Sequence, residues 1–245
     1  MTNSALVTGA SRGIGLGIAR RLATRGYALT ITARDPDRLD TVSDELRSAG
    51  ATDVITVATD LADPAAADTV TTAHRDRFGT MNALILNAGV GTAGAIADFP
   101  MHRFHKTIAV NLEAPFLLLQ RSLPMLREGA AVNLDCGAKV VALSSITGAY
   151  AESNLAVYGA TKAALISLVE TFNAEESGNG VAATAIAPGY VDTDMSDWTK
   201  DRIPAESMLT VNDIVELADA VLRLSNRAVL SKLVLSRAGA SAFTA

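Results

Sequence analysis

Short β-branched runs alternate with helix-type patterns along nearly the whole chain, and this alternation limits its possible folds more than any other feature. The strand-like runs are Ser4–Thr8, Ala28–Ala33, Asp53–Ala58, Ala83–Leu86, Lys139–Leu143, Ala182–Ala187 and Lys232–Leu235. Repeated strand–helix–strand units imply parallel strands that are joined by right-handed crossovers. The pattern therefore predicts an α/β fold with a parallel sheet covered by helices on both faces.

The intervals between these strands carry helical patterns with recognisable ends. They are Ile14–Arg25, Pro36–Ala49, Pro64–Phe78, Lys106–Arg127, Val157–Glu176 and Val211–Leu224. Asp35 before Pro36 fits an N-cap followed by proline in the first turn, and Thr210 with Asp213 fits a capping box. Pro115 is expected to kink the long fourth helix or to lie in its first turns. No linker or repeat interrupts the pattern, so we predict one domain over residues 1–245.

Composition excludes several classes of protein. Hydrophobic residues make up 49% of the 245 and charged residues 19%, which suits a large buried core. A net charge of −5 argues against a nucleic-acid binder. Cys136 is the single cysteine, and His102 and His105 have no evident third ligand, so we expect neither a disulfide nor a metal site. With no charged leader pattern and no apolar run of ~18 residues, we expect a cytoplasmic protein that does not enter membranes.

Gly9, Gly13 and Gly15 lie between the first strand and the first helix. Glycines at such a turn let the backbone approach a pyrophosphate, whose charge is favoured at a helix N-terminus. Their spacing is G-x-x-x-G-x-G rather than the general G-x-G-x-x-G of dinucleotide sites. The loop still predicts a dinucleotide site because a strand precedes it and a helix follows.

The end of the second strand is expected to meet the adenosine ribose of such a ligand. An NAD site usually has an acid there. Here Asp35 is accounted for as a helix cap, whereas Arg34 precedes it and Arg12 lies within the glycine loop. Each charge-assisted bond contributes roughly 1.5–3 kcal/mol, so two arginines near a ribose phosphate would favour NADP(H). Solvated surface arginines are the alternative interpretation.

Tyr158 and Lys162 are four residues apart and so share one helix face. A phenol has a pKa of about 10, and a neighbouring positive charge favours phenolate. The pair therefore predicts acid–base chemistry near neutral pH.

These motifs together resemble the short-chain dehydrogenase/reductase family, over nearly the whole chain and in family order. They are Thr8–Gly15, Asp60, Asn87-Ala88-Gly89, Asn111, Ser144-Ser145, Tyr158-x-x-x-Lys162 and Pro188–Thr193. The resemblance extends to 3-oxoacyl-carrier-protein reductases and carbonyl reductases. It implies a doubly wound, Rossmann-like domain with a seven-stranded parallel sheet, and a dimer or tetramer formed through the helices that carry Asn111 and Tyr158.

The resemblance also implies a catalytic set. Tyr158 would give a proton to a carbonyl oxygen that Ser145 holds, while the cofactor delivers hydride to the carbon. Lys162 would hold the nicotinamide ribose and lower the pKa of Tyr158, and Asn111 would support a water relay behind Lys162. Ser145, rather than Ser144, has the family spacing to the tyrosine.

Cofactor binding is implied for a larger set, in which Asp60 would accept a hydrogen bond from the adenine amine or merely cap a turn. The set is Gly9, Ser11, Arg12, Gly13, Ile14, Gly15, Arg34, Asp60, Leu61, Asn87, Ala88, Gly89, Tyr158, Lys162, Pro188, Gly189, Val191 and Thr193.

Four positions or segments depart from the family or remain open. Leu86 replaces the first asparagine of the usual Asn-Asn-Ala-Gly, and residues 235–239 replace the common Asp-Gly-Gly ending. Residues 127–138 are expected to form a surface loop. Residues 194–208 are expected to cover the substrate through Met195, Trp198, Ile203 and Met208, unless these pack in the core, and Thr147, Leu155 and Tyr190 are expected to face the pocket.

We therefore predict an NADPH-dependent carbonyl reductase acting on a small hydrophobic molecule, with 3-oxoacyl thioesters among the candidates. Two alternatives stay open: an NAD-linked alcohol dehydrogenase, and a non-catalytic NADP-sensing regulator on the same fold. The presence of Asn111, Ser145, Tyr158 and Lys162 together disfavours the sensor.

Overall fold

A seven-stranded parallel sheet forms the centre of the molecule. The structure is a computed structural model and describes residues 2–240. The strands are β1 (Ser4–Thr8), β2 (Ala28–Ala33), β3 (Asp53–Ala58), β4 (Ala83–Leu86), β5 (Ala138–Leu143), β6 (Val181–Pro188) and β7 (Lys232–Leu235). Their order is β3-β2-β1-β4-β5-β6-β7, with every neighbouring pair parallel. This confirms the predicted doubly wound fold; Met1 and residues 241–245 of the predicted domain lie outside the described residues.

Within residues 2–240, seven α-helices connect the strands and cover both faces of the sheet. They are α1 (Gly13–Thr24), α2 (Pro36–Ser48), α3 (Ala65–Phe78), α4 (Met101–Ile108), α5 (Ala114–Val132), α6 (Ala156–Glu176) and α7 (Val211–Leu222). The predicted caps are present: the Asp35 side chain accepts from the Arg38 amide, and Thr210 and Asp213 form a reciprocal capping box. Among the described helices, none combines the length and apolar content needed to cross a membrane.

The core has two halves, one on each face of the sheet. Side chains of α1, α2 and α7 pack on one face, and those of α3, α5 and α6 pack on the other. Strand β1 shows why: Ala5 and Val7 point into the first half and Leu6 into the second, as the two-residue period of a strand requires. All three residues are fully buried, so near-continuous apolar runs are the expected sequence of these strands.

The predicted start of the long fourth helix at Lys106 was wrong. Helical structure begins at Met101 and passes through a π-helical segment, Ala109–Glu113, before continuing as α5. Pro115 lies in the first turn of α5, which agrees with one of its two predicted positions. His102 and His105 are exposed residues of α4, and across residues 2–240 no three His, Cys, Asp or Glu side chains gather as they would around a metal ion.

The predicted surface loop over residues 127–138 was also wrong. Helix α5 continues to Val132, so only residues 133–137 connect it to β5. Within this extension Gly129 permits close packing, because a Cβ at this position would collide with the backbone of Met81. The residue lets α5 lie close against the entry to β4, where the Met81 amide donates to the Met125 carbonyl.

The chain order reverses between β1 and β4, and this reversal opens a crevice at the carboxyl ends of the strands. Thr8 closes the bottom of the crevice. Its hydroxyl donates to the Ile85 carbonyl and accepts from the amides of Asn87 and Ala88. The loops after β1 and β4 are thereby fixed to each other at the place where a ligand is expected.

Candidate active site

A cavity of about 910 Å³ occupies this crevice. Most of the predicted site residues line it: Gly9, Ser11, Arg12, Gly13, Ile14, Arg34, Asp60, Leu61, Asn87, Ala88, Gly89, Ser145, Tyr158, Lys162, Pro188, Gly189, Val191 and Thr193. Gly15 and Asn111 are the two predicted site residues that do not line it. Both support residues that do, as their contacts show.

The glycine loop has a conformation that side chains would prevent. Gly9 and Gly13 have positive φ angles of +64° and +56°. A Cβ at Gly9 would lie 2.8 Å from the Asn87 side-chain nitrogen, and one at Gly15 would collide with the same nitrogen and with the Gly9 carbonyl. Asn87 fills this space and donates to the carbonyls of Thr8 and Gly9 at 3.0 and 3.1 Å. The loop backbone is thus held open toward the cavity.

The N-terminus of α1 is directed at this loop and has no capping partner of its own. Arg12 occupies the N-cap position in an extended conformation, its side chain makes no capping hydrogen bond, and the first turn contains no acidic residue. The first amides of a helix have no partner within the helix and carry part of the positive end of its dipole. This end of α1 can therefore bind an anion.

The groups predicted to meet the adenosine ribose lie around the same end of the cavity. Arg34 is exposed on the cavity wall, and Asp35 is occupied as the cap of α2. Arg12 pairs with Asp194. Asp60 accepts from the Ala62 amide and also lines the cavity, so the capping and ligand-binding interpretations of this residue are compatible.

Tyr158 and Lys162 project from α6 into the opposite end of the cavity. The Lys162 ammonium lies 5.6 Å from the centre of the Tyr158 ring and donates to the Leu143 carbonyl at 2.7 Å. Burial lowers the pKa of Lys162 to about 8. Burial also raises the pKa of Tyr158 to about 12, while a hydrogen bond with Ser145 acts in the opposite direction. The pKa of Tyr158 is thus raised, not lowered as the sequence analysis expected from Lys162, and the phenol is protonated at neutral pH.

Ser145 reaches Tyr158 because two glycines allow a close approach. Ser145 begins the short turn after β5, and its oxygen accepts from the Thr147 hydroxyl at 2.9 Å. A Cβ at Gly148 would lie 2.6 Å from the Lys162 carbonyl carbon, and one at Gly159 would lie 2.9 Å from the Thr147 carbonyl oxygen. The turn therefore packs directly against α6.

Asn111 lies in the π-helical segment and is almost fully buried. Its side chain accepts from the Val90 amide at 2.8 Å and donates to the Val90 carbonyl at 3.0 Å and the Thr161 hydroxyl at 3.3 Å. A Cβ built on Gly89 would lie 3.4 Å from the Asn111 side-chain oxygen and 3.5 Å from the Lys162 side-chain nitrogen. Both polar atoms therefore lie on the same side of Gly89. Asn111 thus fixes the loop that forms the cavity wall next to Lys162.

The segment after β6 closes the other side of the cavity. Met195 and Trp198 line it from the short helical turn Asp194–Thr199 and are about half exposed, whereas Met208 is buried and neither it nor Ile203 lines the cavity. Of the four apolar residues predicted to cover the substrate, only Met195 and Trp198 therefore line the cavity. Thr147, Leu155 and Tyr190 all line it, where the sequence analysis expected them.

Several residues of the site were not singled out from the sequence. Gly148 and Gly159 permit the packing of the Ser145 turn, and Thr161 links Asn111 to the Tyr158 carbonyl. Glu152 lines the cavity and accepts a hydrogen bond from Tyr190. The glycines had a signal, since each lies within three residues of a predicted catalytic residue. Nothing in the local pattern distinguished Glu152 from a surface carboxylate.

Comparison with known proteins agrees with this architecture. A 3-oxoacyl-(acyl-carrier-protein) reductase of Staphylococcus aureus is 33% identical over 214 residues, which is 86% of this chain and 82% of that protein. An alcohol dehydrogenase of the archaeon Thermococcus sibiricus, complexed with 5-hydroxy-NADP, superposes with a TM-score of 0.87 at 29% identity, covering 98% of this chain and 99% of that one. A 3-oxoacyl-(acyl-carrier-protein) reductase of Brucella melitensis in complex with NAD gives a TM-score of 0.85 at 26% identity, with 96% and 95% covered.

The short chain dehydrogenase family model matches residues 3–203. This range contains the glycine loop, the crevice between β1 and β4, and all four predicted catalytic residues. The chain belongs to the short-chain dehydrogenase family of oxidoreductases.

Proposed function

We propose that this protein reduces a carbonyl group to an alcohol with NADPH as the hydride source. The observation that carries the proposal is the convergence of Ser145, Tyr158 and Lys162 on one end of a cavity whose other end is the glycine loop. Two of the relatives are reductases of 3-oxoacyl-(acyl-carrier-protein), so a short 3-oxoacyl thioester is the first substrate to test.

The cavity residues fit a nicotinamide dinucleotide. Only glycines fit at positions 9 and 15, and the uncapped N-terminus of α1 offers amides to a pyrophosphate. Arg12 and Arg34, both exposed on the cavity wall, support NADP(H) over NAD(H), because each can bind the ribose phosphate that distinguishes the two. Among the relatives, the Thermococcus structure contains 5-hydroxy-NADP and the Brucella structure contains NAD.

The side chains at the other end supply the proton and hold the reacting oxygen. When bound, NADPH supplies the hydride. Tyr158 carries a proton at neutral pH and donates it to the carbonyl oxygen as that oxygen gains charge. Ser145, held by the Thr147 hydroxyl, orients the same oxygen.

Lys162 assists as the proton leaves Tyr158. With a pKa of about 8 it is mostly charged at pH 7, and its ammonium lies beside the ring that becomes phenolate. Asn111 acts through position, because it fixes the Val90 backbone and Thr161 around the ammonium.

The test is NADPH oxidation by the purified protein with acetoacetyl-CoA, together with the Tyr158→Phe variant. Wild type should turn over, and the variant should lose a factor on the order of 10²–10⁴ in kcat while still binding NADPH. Turnover that survives in Tyr158→Phe would contradict the assigned role. Absence of turnover despite NADPH binding would exclude this thioester and direct the assay to ketones, steroids and sugars.

An NAD-linked alcohol dehydrogenase is the second candidate. The name of the Thermococcus relative favours alcohol dehydrogenase activity, whereas its bound 5-hydroxy-NADP does not favour NAD as the cofactor. The distinguishing assay runs in the oxidative direction with a secondary alcohol and either NAD⁺ or NADP⁺. A kcat/KM for NAD⁺ above that for NADP⁺ would replace the first proposal with this one. A non-catalytic sensor would bind cofactor and show no turnover in either direction with any member of the panel.

We further propose a dimer or tetramer formed through α6, which carries Tyr158, and the helical stretch from α4 to α5 that carries Asn111. Phe116 supports this, since it lies on α5 with 49% of its surface exposed. Light scattering should give twice or four times the 25.4 kDa chain mass, and Phe116→Glu should reduce it. A monomer in the wild type would contradict the proposal.

A further inference from the structure

Glu152 is a carboxylate on the cavity wall with one oxygen bonded and one free. It lies in the segment between the Ser145 turn and α6. Its Oε1 accepts from the Tyr190 hydroxyl at 2.9 Å. Its Oε2 is buried and receives no hydrogen bond from any described residue.

Tyr190 and its neighbours hold Glu152 in place. Burial raises the pKa of Tyr190 and the adjacent Glu152 raises it further, so the phenol keeps its proton and remains a donor. The Tyr190 ring meets the Trp198 ring edge-on at 6.1 Å between centroids, and the Arg202 guanidinium lies 5.5 Å from the centre of the Trp198 ring. The carboxylate is therefore connected to the segment that closes the cavity.

A purely structural role does not account for the second oxygen. One acceptor is enough to hold the Tyr190 hydroxyl, and a neutral side chain can provide it. A buried acceptor without a donor costs about 1–3 kcal/mol, and more when it is charged. An unpaired buried polar group in a folded protein requires an explanation, and a ligand that supplies the missing donor is one explanation for a group on a cavity wall.

We propose that Glu152 determines substrate specificity by accepting a hydrogen bond from a hydroxyl or ammonium group of the carbonyl substrate. This inference rests on the proposed function and names the chemical class on which that function acts. Because Oε2 is buried, access of the donor requires a local rearrangement of the side chains around Glu152 on binding. The carboxylate equally disfavours substrates with an acidic group at this position.

The consequence is selection against close analogues that lack the donor. A site built to bond a substrate hydroxyl rejects the analogue without it strongly, since a buried polar group is then left unpaired. A methyl ether in place of the hydroxyl removes the donor and keeps the carbonyl. Hydroxy ketones and their methyl ethers therefore form matched pairs that report on Glu152.

The experiment compares two hydroxy ketones, 4-hydroxy-2-butanone and 5-hydroxy-2-pentanone, with their methyl ethers. A further substrate, 4-amino-2-butanone, tests an ammonium group as the donor. The measured quantity is the ratio of kcat/KM for the donor-bearing ketone over that for its ether, with NADPH. The variants are Glu152→Gln and Glu152→Ala. Glu206→Gln is the matched control, because Glu206 is an exposed carboxylate of the same covering segment and does not line the cavity.

In wild type the ratio of kcat/KM for the hydroxy ketone over its ether should exceed ten for at least one chain length. Glu152→Ala should reduce this ratio at least tenfold. Glu206→Gln should keep the wild-type ratio. A larger loss for the amino ketone than for the hydroxy ketone in Glu152→Gln would identify the donor as ammonium. A wild-type ratio near one at every chain length, or a ratio unchanged in Glu152→Ala, would overturn the inference.

A second readout separates this inference from the proposed function. Calorimetry of the NADPH complex with 1,3-butanediol and with 4-methoxy-2-butanol measures binding without turnover, because the reduced cofactor cannot accept hydride from an alcohol. Tighter binding of the diol in wild type, lost in Glu152→Ala, supports the role of Glu152 even if no ketone is reduced. Equal binding of diol and ether in wild type overturns it, whatever the activity assay shows.

Discussion

Arg12 in the glycine loop and Asp194 at the start of the covering segment form an ion pair across the cavity, 2.7 Å between Nη1 and Oδ2. The two side chains come from opposite ends of the chain and about two thirds of each is exposed. Exposed pairs contribute little to stability, typically below about 1 kcal/mol. The pair matters more for ligand binding, because Asp194 occupies the guanidinium proposed to bind the ribose phosphate.

Asp194→Asn should therefore strengthen NADPH binding. The substitution removes the carboxylate that competes with the ribose phosphate for Arg12. This competition contributes up to about 1 kcal/mol, or roughly fivefold in the Kd for NADPH. NADH, which has no such phosphate, should bind with unchanged affinity. Fluorescence titration of both cofactors measures this directly, and an equal gain for NADH would show that Asp194 acts on the cavity in another way.

Arg34→Ala should weaken NADPH binding far more than NADH binding. Arg34 lines the cavity at the end of β2, and a charge-assisted bond contributes about 1.5–3 kcal/mol, which is at least tenfold in Kd. The ratio of KM values for the two cofactors is the quantity to measure. Arg227→Ala, on an exposed residue outside the cavity, is the control, and equal effects of Arg34→Ala on both cofactors would exclude NADP(H) selection by Arg34.

Lys162→Met should abolish most turnover without lowering stability at pH 7. The buried ammonium has its pKa lowered to about 8, so it is charged below that pH at a cost to the folded state. That cost is present at pH 7 and is relieved as the pH rises from 8 toward the ordinary value of 10.5. In this variant kcat should therefore fall while the thermal midpoint at pH 7 is not lowered. Lys232→Met, on strand β7, is the control and should keep the wild-type kcat and midpoint. A midpoint lowered along with kcat would show that Lys162 is mainly structural.

His74 should make the protein less stable as the pH falls from 6.5 toward 4. It is fully buried, bonds Thr30 through Nδ1 at 2.8 Å, and has its pKa lowered to about 4 by burial. Below pH 6.5 His74 binds a proton in the unfolded chain but not in the folded chain. The free energy of unfolding therefore falls between pH 6.5 and 4, by about 3 kcal/mol in total.

Urea unfolding at pH 7, 6 and 5 measures this loss. His74→Gln should be less stable at pH 7, because buried hydrogen bonds are lost, yet should depend less on pH over the window. His102→Gln, on an exposed residue of α4, should keep the wild-type slope. An unchanged slope in His74→Gln would assign the acid sensitivity to other groups.

The strands and most helices could be predicted because their sequence pattern is local. The two errors concern helices whose ends are decided elsewhere in the fold. Residues 101–105 were missed because the amphipathic pattern of this stretch is short and polar, and the extension of α5 to Val132 includes the packing of Gly129 on Met81, which joins residues far apart in the sequence. Most cavity residues could be predicted from the spacing of the motifs. The Glu152–Tyr190 hydrogen bond could not, because it joins residues 38 positions apart and neither local sequence indicates the partner.

The cavity is built from two separate stretches of chain, and this affects how such a protein can change over generations. Loops after β1 to β4 form the glycine end, while loops after β5 and β6 carry Ser145, Glu152 and the covering segment. Substitutions in the second stretch can therefore change which molecules are accepted, provided that they avoid the catalytic side chains and the residues that contact the glycine loop, such as Asp194. A duplicated gene could acquire a new substrate by altering cavity residues such as Glu152 and Met195, while the catalytic residues and the dinucleotide end are inherited intact.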